Sequence, residues 1–509
     1  MGTNENKKRR RSCPQPGDPD YKTPTQLRNA RKRRKSQREK SRGSDSTSPQ
    51  KHVSKEGSSS RLSSSQHPLD PSLKYIANPK AAPTVQAAKK FFNGIFQSTQ
   101  SDYQFPIFVG PTQGWRTVAR LAVRQQKDEK LQVGLFVPGS HQLLPVPQCQ
   151  AHHPNINSAV QVVQDVCRQL VVPAFDEATG KGNLRYIAIS IERSTGKQQV
   201  VLVWKEQESD STTQILDRLI AKLIAVSDQK RKEKIFNLHS LWVHYNNSWK
   251  HANSIVDRNG RWVQRHGEDG GRIQELLLSN SNQPESQLYV PLFFPPQVFR
   301  QANLDGFANI VIKIREWLAE RLTSTADIHA TKEKKKRRRF KQCLELYGGV
   351  GTIGLNLFDY FDGLVSSDEN PHNKSCFELS LGQITLRDKP LRDSRRERIV
   401  YHSKSATDVI LGSQGRQLLE KAEVIIVDPP RKGLDQEVID ALNASAEGSQ
   451  SSTTRKALVY VSCGFDAFRR DYHGLVQSGR WTLDHAEGHV LFPGSDAIET
   501  LAFLTTTER

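Results

Sequence analysis

The feature that most constrains the fold is a regular alternation of apolar runs and helical stretches that begins near residue 301. Runs rich in Val, Ile and Leu predict buried strands, and the amphipathic stretches between them predict helices that connect parallel strands. Residues 297–509 are therefore predicted to form a doubly wound α/β sheet. The predicted strands are 342–347, 363–368, 398–402, 423–428 and 457–463, and the predicted helices are 308–322, 370–381, 414–421, 436–445 and 466–476.

The chain before this region consists of two segments that differ in their pattern of apolar and polar residues. Residues 83–296 contain stretches of alternating apolar and polar residues, and two amphipathic stretches at 156–170 and 212–226, which together predict an α+β central domain. Residues 1–82 are rich in Ser, Lys, Arg and Pro and poor in aromatics. Such a segment buries too little apolar surface to offset its ordering entropy, so we expect a disordered basic tail.

Charge and cysteine content narrow the possible functions. The net charge is +20, and residues 1–80 supply most of it, with 20 Lys and Arg against 7 Asp and Glu. A basic balance indicates a polyanion partner such as nucleic acid. The six cysteines are scattered without a Cys-x-x-Cys pair, which disfavours a zinc site and a disulfide scaffold and favours a reducing, intracellular compartment. No run of 18 apolar residues occurs, so we expect no membrane span.

Two basic clusters, at residues 7–11 and 31–35, bear on localisation. They are typical of nuclear or nucleolar import signals or of segments that attract RNA without specificity, and equally of a solvated tail that carries no targeting signal. Because acidic residues are sparse near the start, an organelle-targeting signal is a further alternative.

A glycine-rich loop follows the first predicted strand of the C-terminal region. The pattern Gly349-Val-Gly351-Thr-Ile-Gly354 permits a tight turn and close approach to a ligand. Alone it is compatible with NAD, FAD, S-adenosylmethionine or a plain turn. Glu345 precedes the loop and Asp428 ends the fourth strand, where ligands bind in open α/β sheets. Carboxylates in these positions favour a sulfonium cation over a hydride-transfer cofactor.

Cys463 ends the fifth predicted strand and is a candidate nucleophile. A lone cysteine is more often a buried apolar residue, so only its setting favours this role. Glu499 lies downstream beside apolar residues that can raise its pKa toward that of a working base, although a surface carboxylate at a strand start is an equal alternative.

Five segments resemble, in their order along the chain, the motifs of the RNA uracil-5-methyltransferase family. Residues 299–303 are similar to its Gln-x-Asn element, 344–355 to its cofactor motif, 428–434 to its fourth-strand motif, 460–463 to its nucleophile motif and 492–500 to the segment that carries its base. Residues 114–157 also resemble the family's central domain.

This resemblance implies a class I methyltransferase fold that uses S-adenosylmethionine to methylate uracil C5 in tRNA or rRNA. Cys463 would be the nucleophile and Glu499 the base. Trp115, Arg116 and Arg120 would contact RNA. We expect a monomer without metal, iron–sulfur cluster or membrane contact. The residues implied to line the cofactor pocket are Gln301, Tyr347, Thr352, Asp368 and Asp428.

The chain also departs from the family pattern. Asn-Pro usually follows the nucleophile, whereas Gly464-Phe465 follows Cys463, and Gly348 replaces a cysteine of the cofactor motif. The clustered cysteines of iron–sulfur members are absent from the sequence, and residues 1–80 do not resemble the small β-barrel of many members. Two rival hypotheses are an RNA cytosine-5 methyltransferase, which also uses a cysteine, and a non-catalytic RNA-binding protein.

Overall fold

The computed structural model describes most of the chain beyond residue 69. The predicted disordered tail lies outside the described residues, apart from its last part, which the structure orders as turns and a short 3-10 helix at Pro79–Ala81. The described residues are 70, 72–98, 100–125, 131–137, 139–206, 210–230, 235–248, 255–257, 260–268, 270–277, 290–324, 339–387, 396–447 and 455–507.

Strands and helices follow one another along the described residues in two sheets and a hairpin. The strands are β1 (Ile107–Val109), β2 (Val118–Gln125), β3 (Leu131–Phe136), β4 (Leu143–Pro145), β5 (Leu184–Ile191), β6 (Gln198–Trp204), β7 (Leu238–Tyr245), β8 (Trp262–His266), β9 (Ile273–Leu276), β10 (Pro291–Phe294), β11 (Phe340–Leu346), β12 (Phe361–Ser367), β13 (Ile399–His402), β14 (Val424–Val427), β15 (Ala457–Ser462), β16 (Trp481–Val490) and β17 (Glu499–Thr506). The helices are α1 (Pro83–Phe96), α2 (Pro154–Gln169), α3 (Asp210–Lys230), α4 (Leu304–Ser324), α5 (Pro371–Arg387), α6 (Ala406–Leu411), α7 (Gly415–Lys421), α8 (Gln436–Glu447) and α9 (Phe465–Val476).

The larger sheet confirms the doubly wound α/β prediction. Its strand order is β1-β16-β17-β15-β14-β11-β12-β13, and β15, β14, β11, β12 and β13 run parallel. Every residue of β14 and β15 is buried, as expected for apolar strands covered by helices on both faces. β17 pairs antiparallel with both β15 and β16. The carboxyl ends of β11, β14 and β15 therefore meet at one edge.

The central sheet confirms the α+β prediction. Its order is β4-β3-β2-β5-β6-β7-β8, mostly antiparallel. The apolar sides of α2 and α3 cover one face through residues such as Ile156 and Leu219. The other face carries a smaller apolar group around Val201, Val203 and Trp242. This second face is turned toward the cavity described below.

Packing divides the chain differently from the predicted boundaries at residues 83 and 297. Helix α1 buries its apolar side in the core of the larger sheet, and β1 pairs in parallel with the edge strand β16. The β9–β10 hairpin likewise packs into the core of the larger sheet. An amphipathic helix or a short strand shows only that one face needs covering, so local sequence does not reveal which core supplies the cover.

A buried ionic network joins the two sheets. Arg300, which precedes α4, pairs with Glu275 of β9 and donates to the carbonyl of Ile191 in β5 at 2.8 Å. Arg193 also pairs with Glu275, with 2.8 Å between Nε and Oε2. Nearby, the Thr117 amide donates to the carbonyl oxygen of Ala302 at 2.8 Å. Glu275, which pairs with both arginines, ties the central sheet to the β9–β10 hairpin and the start of α4.

The helices among the described residues are all too short or too polar to span a bilayer.

Candidate active site

The glycine-rich loop wraps around a buried carboxyl group. Glu345, near the end of β11, accepts hydrogen bonds from the Gly354 amide at 2.7 Å and the Ser366 hydroxyl at 2.6 Å. A Cβ atom at Gly348 or Gly354 would lie 2.7 Å or 2.5 Å from a Glu345 carboxylate oxygen, so a side chain at either position would displace the Glu345 carboxylate. The loop is followed by a 3-10 helix at Leu355–Tyr360. Burial raises the pKa of Glu345 to about 7.

Asp368, which follows the neighbouring strand β12, contacts the glycine-rich loop. Its carboxylate accepts from the Gly349 amide at 3.2 Å and from the Asn370 amide at 2.9 Å. The Tyr401 hydroxyl donates to the Gly349 carbonyl at 2.7 Å and holds the opposite side of the turn. Burial raises the pKa of Asp368. The structure thus places Asp368, an implied pocket residue, against the glycine-rich loop.

Two further predicted pocket residues lie in or beside this turn. Tyr347 has a positive φ of 61°, unusual for a non-glycine residue, and marks a strained turn into the loop. Thr352 is half-buried, and its carbonyl accepts from the Asn356 side chain at 2.9 Å. Close to Asp368, the buried side-chain oxygens of Gln297 and Ser367 have no hydrogen-bond partner among the described residues. Unsatisfied buried polar atoms next to a glycine turn are what a ligand-binding pocket provides.

Strand register places the candidate catalytic groups on one face of the sheet. Ser462 of β15 pairs with Thr500 of β17, so Cys463 and Glu499 follow as opposite neighbours. Val427 pairs with Tyr460, and Asp428 therefore comes next to Val461, two residues before Cys463. Because side chains alternate along strands and paired residues share a face, the three groups project to the same side. Glu345, which pairs with Ile426, shares that face as well.

The carboxyl groups and the thiol perturb one another. Burial, with a smaller effect of the Asp428 charge, raises the pKa of Glu499 to about 8. Burial, with the charges of Glu345 and Asp368, raises the pKa of Asp428 to about 7. The pKa of the Cys463 thiol rises to about 11, mainly through burial and then through Glu499 and Asp428. The site therefore concentrates acidic groups, and a cationic ligand would stabilise their ionised forms.

The raised carboxyl pKa values predict a pH-dependent stability. A carboxyl group whose pKa rises from 4.5 to about 8 on folding stabilises the native state below pH 4.5, and this contribution is lost as the pH rises toward 8. Without added ligand, Glu499→Gln should therefore be more stable than the native protein at about pH 9, by a few kcal/mol, since one pKa unit is worth about 1.4 kcal/mol. At about pH 4 the two should be equal. Urea unfolding across this range measures the difference, and a constant difference would contradict the assignment.

The residues after Cys463 are explained by their packing. A Cβ atom at Gly464 would lie 2.5 Å from the Arg431 carbonyl oxygen, so the loop after Asp428 passes too close for a side chain. Phe465 is buried against Phe91 and Phe92 of α1, with ring centroids 5.8 and 6.2 Å away. Packing therefore explains why glycine and phenylalanine, rather than the family's Asn-Pro, follow Cys463.

This close approach predicts that Gly464→Ala destabilises the protein by roughly 1–3 kcal/mol, because the Arg431 loop must move. Gly94→Ala is a matched control, since an added Cβ there meets no atom within 4 Å. Chemical denaturation of the two variants gives the comparison. Equal free energies of unfolding for the two variants would show that the loop after Asp428 can move without an energetic cost.

A cavity of about 520 Å³ lies between the open face of the central sheet and the loops of the larger sheet. Arg116, Arg120, Gln301 and Arg431 are among the lining residues, together with apolar side chains of both sheets. Arg116 lies over the Trp115 ring, 4.8 Å from its centroid. Trp115 itself is only 6% exposed, so it supports the cavity wall and, contrary to the sequence-based expectation, offers little surface to a ligand.

Comparison with known proteins adds to this geometry. No family model matches the chain. An uncharacterized RNA methyltransferase of Protochlamydia amoebophila is 33% identical over 393 residues, which cover 77% of this chain and 86% of that protein. The chain belongs to this family of RNA methyltransferases. A second uncharacterized RNA methyltransferase, from Lactobacillus johnsonii, is 24% identical over 396 residues, or 78% of this chain and 73% of that protein.

A solved structure shows the same fold. It is the Pyrococcus abyssi tRNA (uracil-54, C5)-methyltransferase in complex with S-adenosyl-L-homocysteine. The match has a TM-score of 0.55 and 19% identity, and it covers 83% of this chain and 81% of that one. The predicted class I methyltransferase fold is confirmed.

Sequence reasoning gave no role to one residue that the structure places in this methyltransferase site. The charge of Arg431 opposes the rise in pKa of both Cys463 and Glu499. Arg431 belongs to the motif segment 428–434, and a cation three residues beyond a candidate carboxylate was the available signal. The loop that contains Arg431 approaches Gly464, which brings the Arg431 charge within electrostatic range of the Cys463 thiol.

Proposed function

We propose that this RNA methyltransferase transfers a methyl group from S-adenosylmethionine to C5 of a uracil in RNA. The observation that carries the proposal is the placement of Cys463, Glu499 and Asp428 on one face, at the ends of neighbouring strands. A nucleophile, a base and an acidic pocket between strand ends are the parts that this reaction needs. The Pyrococcus abyssi protein that shares the fold is itself named a tRNA uracil C5-methyltransferase, which supports the proposal.

The acidic pocket fits S-adenosylmethionine. Asp368 and Asp428 would face its ribose and cationic parts, Glu345 holds the glycine-rich loop in place from beneath, and Tyr347, Thr352 and Gln301 would complete the pocket. The unpartnered oxygens of Gln297 and Ser367 give it further hydrogen-bonding capacity. The bound cofactor supplies an electrophilic methyl group and a positive charge that lowers the pKa of every acid around it.

Cys463 makes uracil reactive. C5 of uracil is a weak nucleophile, and addition of the Cys463 sulfur to C6 converts the ring to an enolate whose C5 can accept the methyl group. The pKa of this thiol is about 11, so the sulfur attacks as its proton passes to Asp428, which leaves the Glu499 carboxylate free for the later step. The enolate C5 then takes the methyl group as the bond between that methyl group and the cofactor sulfur breaks, and the electrons of that bond stay on the sulfur. The ring now carries a Cys463–C6 bond, a methyl group on C5 and the C5 proton that must leave.

Glu499 completes the reaction. Its carboxylate removes the C5 proton, the electrons of that C–H bond restore the C5–C6 double bond, and the Cys463–C6 bond breaks. A carboxyl group with a pKa of about 8 holds such a proton far better than an exposed one. Only 3% of Glu499 is exposed, so water competes poorly for its position.

The cavity beside the site fits a nucleotide of a tRNA or rRNA. Arg116, Arg120 and Arg431 would face phosphates, and the apolar wall would cover a base. No group of His, Cys, Asp and Glu that could hold a metal ion occurs among the described residues. The monomeric state and the nuclear, nucleolar or organellar location remain predictions from the sequence.

Nucleoside analysis tests the proposed function. The purified protein is incubated with unmodified tRNA and rRNA transcripts and methyl-labelled S-adenosylmethionine, and the RNA is digested to nucleosides. Label in 5-methyluridine is expected. Label in 5-methylcytidine would favour the cytosine-5 alternative, and absence of label from every transcript would favour the non-catalytic RNA-binding alternative.

A further inference from the structure

The chain between residues 72 and 96, which we call the N-terminal strap, contacts the loop that leads to Glu499. The Tyr75 amide donates to the Gly494 carbonyl at 2.8 Å. Gly494 has a φ of +100°, and a Cβ atom there would lie 2.2 Å from the Ser72 carbonyl oxygen. The two backbones therefore touch, and the loop at 492–498 is shaped by the strap.

A charged contact reinforces this arrangement. Asp496 Oδ1 accepts from the Thr84 amide at 2.8 Å, in the first turn of α1. The N-cap residue Ala82 makes no side-chain cap of its own, so a carboxylate from the far end of the sequence takes that role. A helix N-terminus favours a negative charge, which strengthens the bond. Asp496 is three residues from Glu499, and the contact restrains the approach to the base.

The other end of the strap contacts the segment after the nucleophile. Phe92 is fully buried, with its ring 5.5 Å from that of Phe468 and 6.2 Å from that of Phe465. Phe91 packs edge-on against Phe465 at 5.8 Å. Phe465 is the second residue after Cys463, so α1 packs against the turn that follows the thiol.

We propose that the N-terminal strap is a positioning element that holds the base loop and the nucleophile turn in register with each other. Asp496 and Phe465 act through it as positioning residues for Glu499 and Cys463. This inference rests on the proposed function. It follows from the chemistry that a base must meet the C5 proton within hydrogen-bond reach, and a displacement of about 1 Å can cost on the order of 100-fold in rate.

Asp496 variants test the half of the strap that holds the base. In Asp496→Ala, addition of Cys463 to C6 should proceed while proton removal slows. We expect kcat at saturating RNA to fall roughly tenfold and a denaturation-resistant RNA–protein adduct to accumulate. Asp496→Asn keeps an acceptor oxygen and should recover most of the rate. Lys90→Ala, a change on the same helix away from these contacts, is the matched control and should behave as the native protein.

Phe91 variants test the part of the strap that contacts the turn after Cys463. Phe91→Ala should displace the turn after Cys463 and slow adduct formation roughly tenfold, so kcat falls without adduct accumulation. Thermal unfolding confirms that each variant is folded, and Phe91→Leu replaces Phe91→Ala if the latter is not. A folded Asp496→Ala variant that turns over at the native rate, or loses activity without accumulating adduct, would overturn the proposal.

Reference variants separate this proposal from the proposed function. If Glu499→Gln accumulates adduct but Asp496→Ala and Phe91→Ala do not differ from Lys90→Ala, only the strap proposal fails. If Glu499→Gln forms no adduct and Cys463→Ala stays active, the covalent mechanism fails and the strap proposal fails with it.

Discussion

Replacing Cys463 with alanine should abolish methyl transfer, lowering kcat by on the order of 1,000-fold or more. In the proposed mechanism no bond to C6 forms without the sulfur, and C5 then stays too weak a nucleophile to accept a methyl group. The fold should be kept, because the side chain lies at the strand end beside the pocket and is only partly buried. Transfer of labelled methyl groups to RNA measures the loss.

Cys149→Ser is the matched control for this experiment. Cys149 is buried in the core of the central sheet, where its sulfur lies 3.5 Å from Asp70 Oδ2, and a serine hydroxyl can keep that hydrogen bond. This variant should retain native activity. Undiminished methyl transfer by Cys463→Ala would mean that the reaction needs no covalent step through this thiol.

Replacing Glu499 with glutamine should lower kcat by roughly 100- to 10,000-fold and trap the enzyme on its substrate. The neutral amide fills the same buried space but cannot accept the C5 proton. The methylated ring therefore stays bonded to Cys463, and a complex of protein and RNA should survive denaturing electrophoresis. The trapped species should carry label from the methyl group.

The double variant Cys463→Ala with Glu499→Gln is the control for this trap. It contains no sulfur at the site, so the adduct should disappear completely. Free release of 5-methyluridine by Glu499→Gln at the native rate would assign proton removal to another group.

The parallel strands and their ends were predictable from the sequence. Residues 423–428 and 457–463 were predicted as strands, and the structure has Val424–Val427 and Ala457–Ser462. Apolar runs of this length form buried parallel strands, and polar residues that end them must gather at the carboxyl edge. The meeting of Asp428 with Cys463 follows from these rules, without knowledge of the packing.

The strap and the setting of Glu499 were not predictable in this way. The sequence left Glu499 equally compatible with the protein surface, and burial by β15 and β16 on either side decides the matter. Likewise, residues 83–96 show one apolar face but not the distant core that covers it. Pairings between residues hundreds of positions apart leave no periodic trace in a single sequence.

The bond between Thr84 and Asp496 spans 412 residues. At a synthesis rate of roughly 5–20 residues per second, Asp496 emerges from the ribosome roughly 20–80 s after Thr84. The central sheet can form in that interval, whereas the apolar side of α1 must wait uncovered for its partners. Catalytic competence would then arise late and all at once, and an incomplete nascent chain could bind RNA without modifying it.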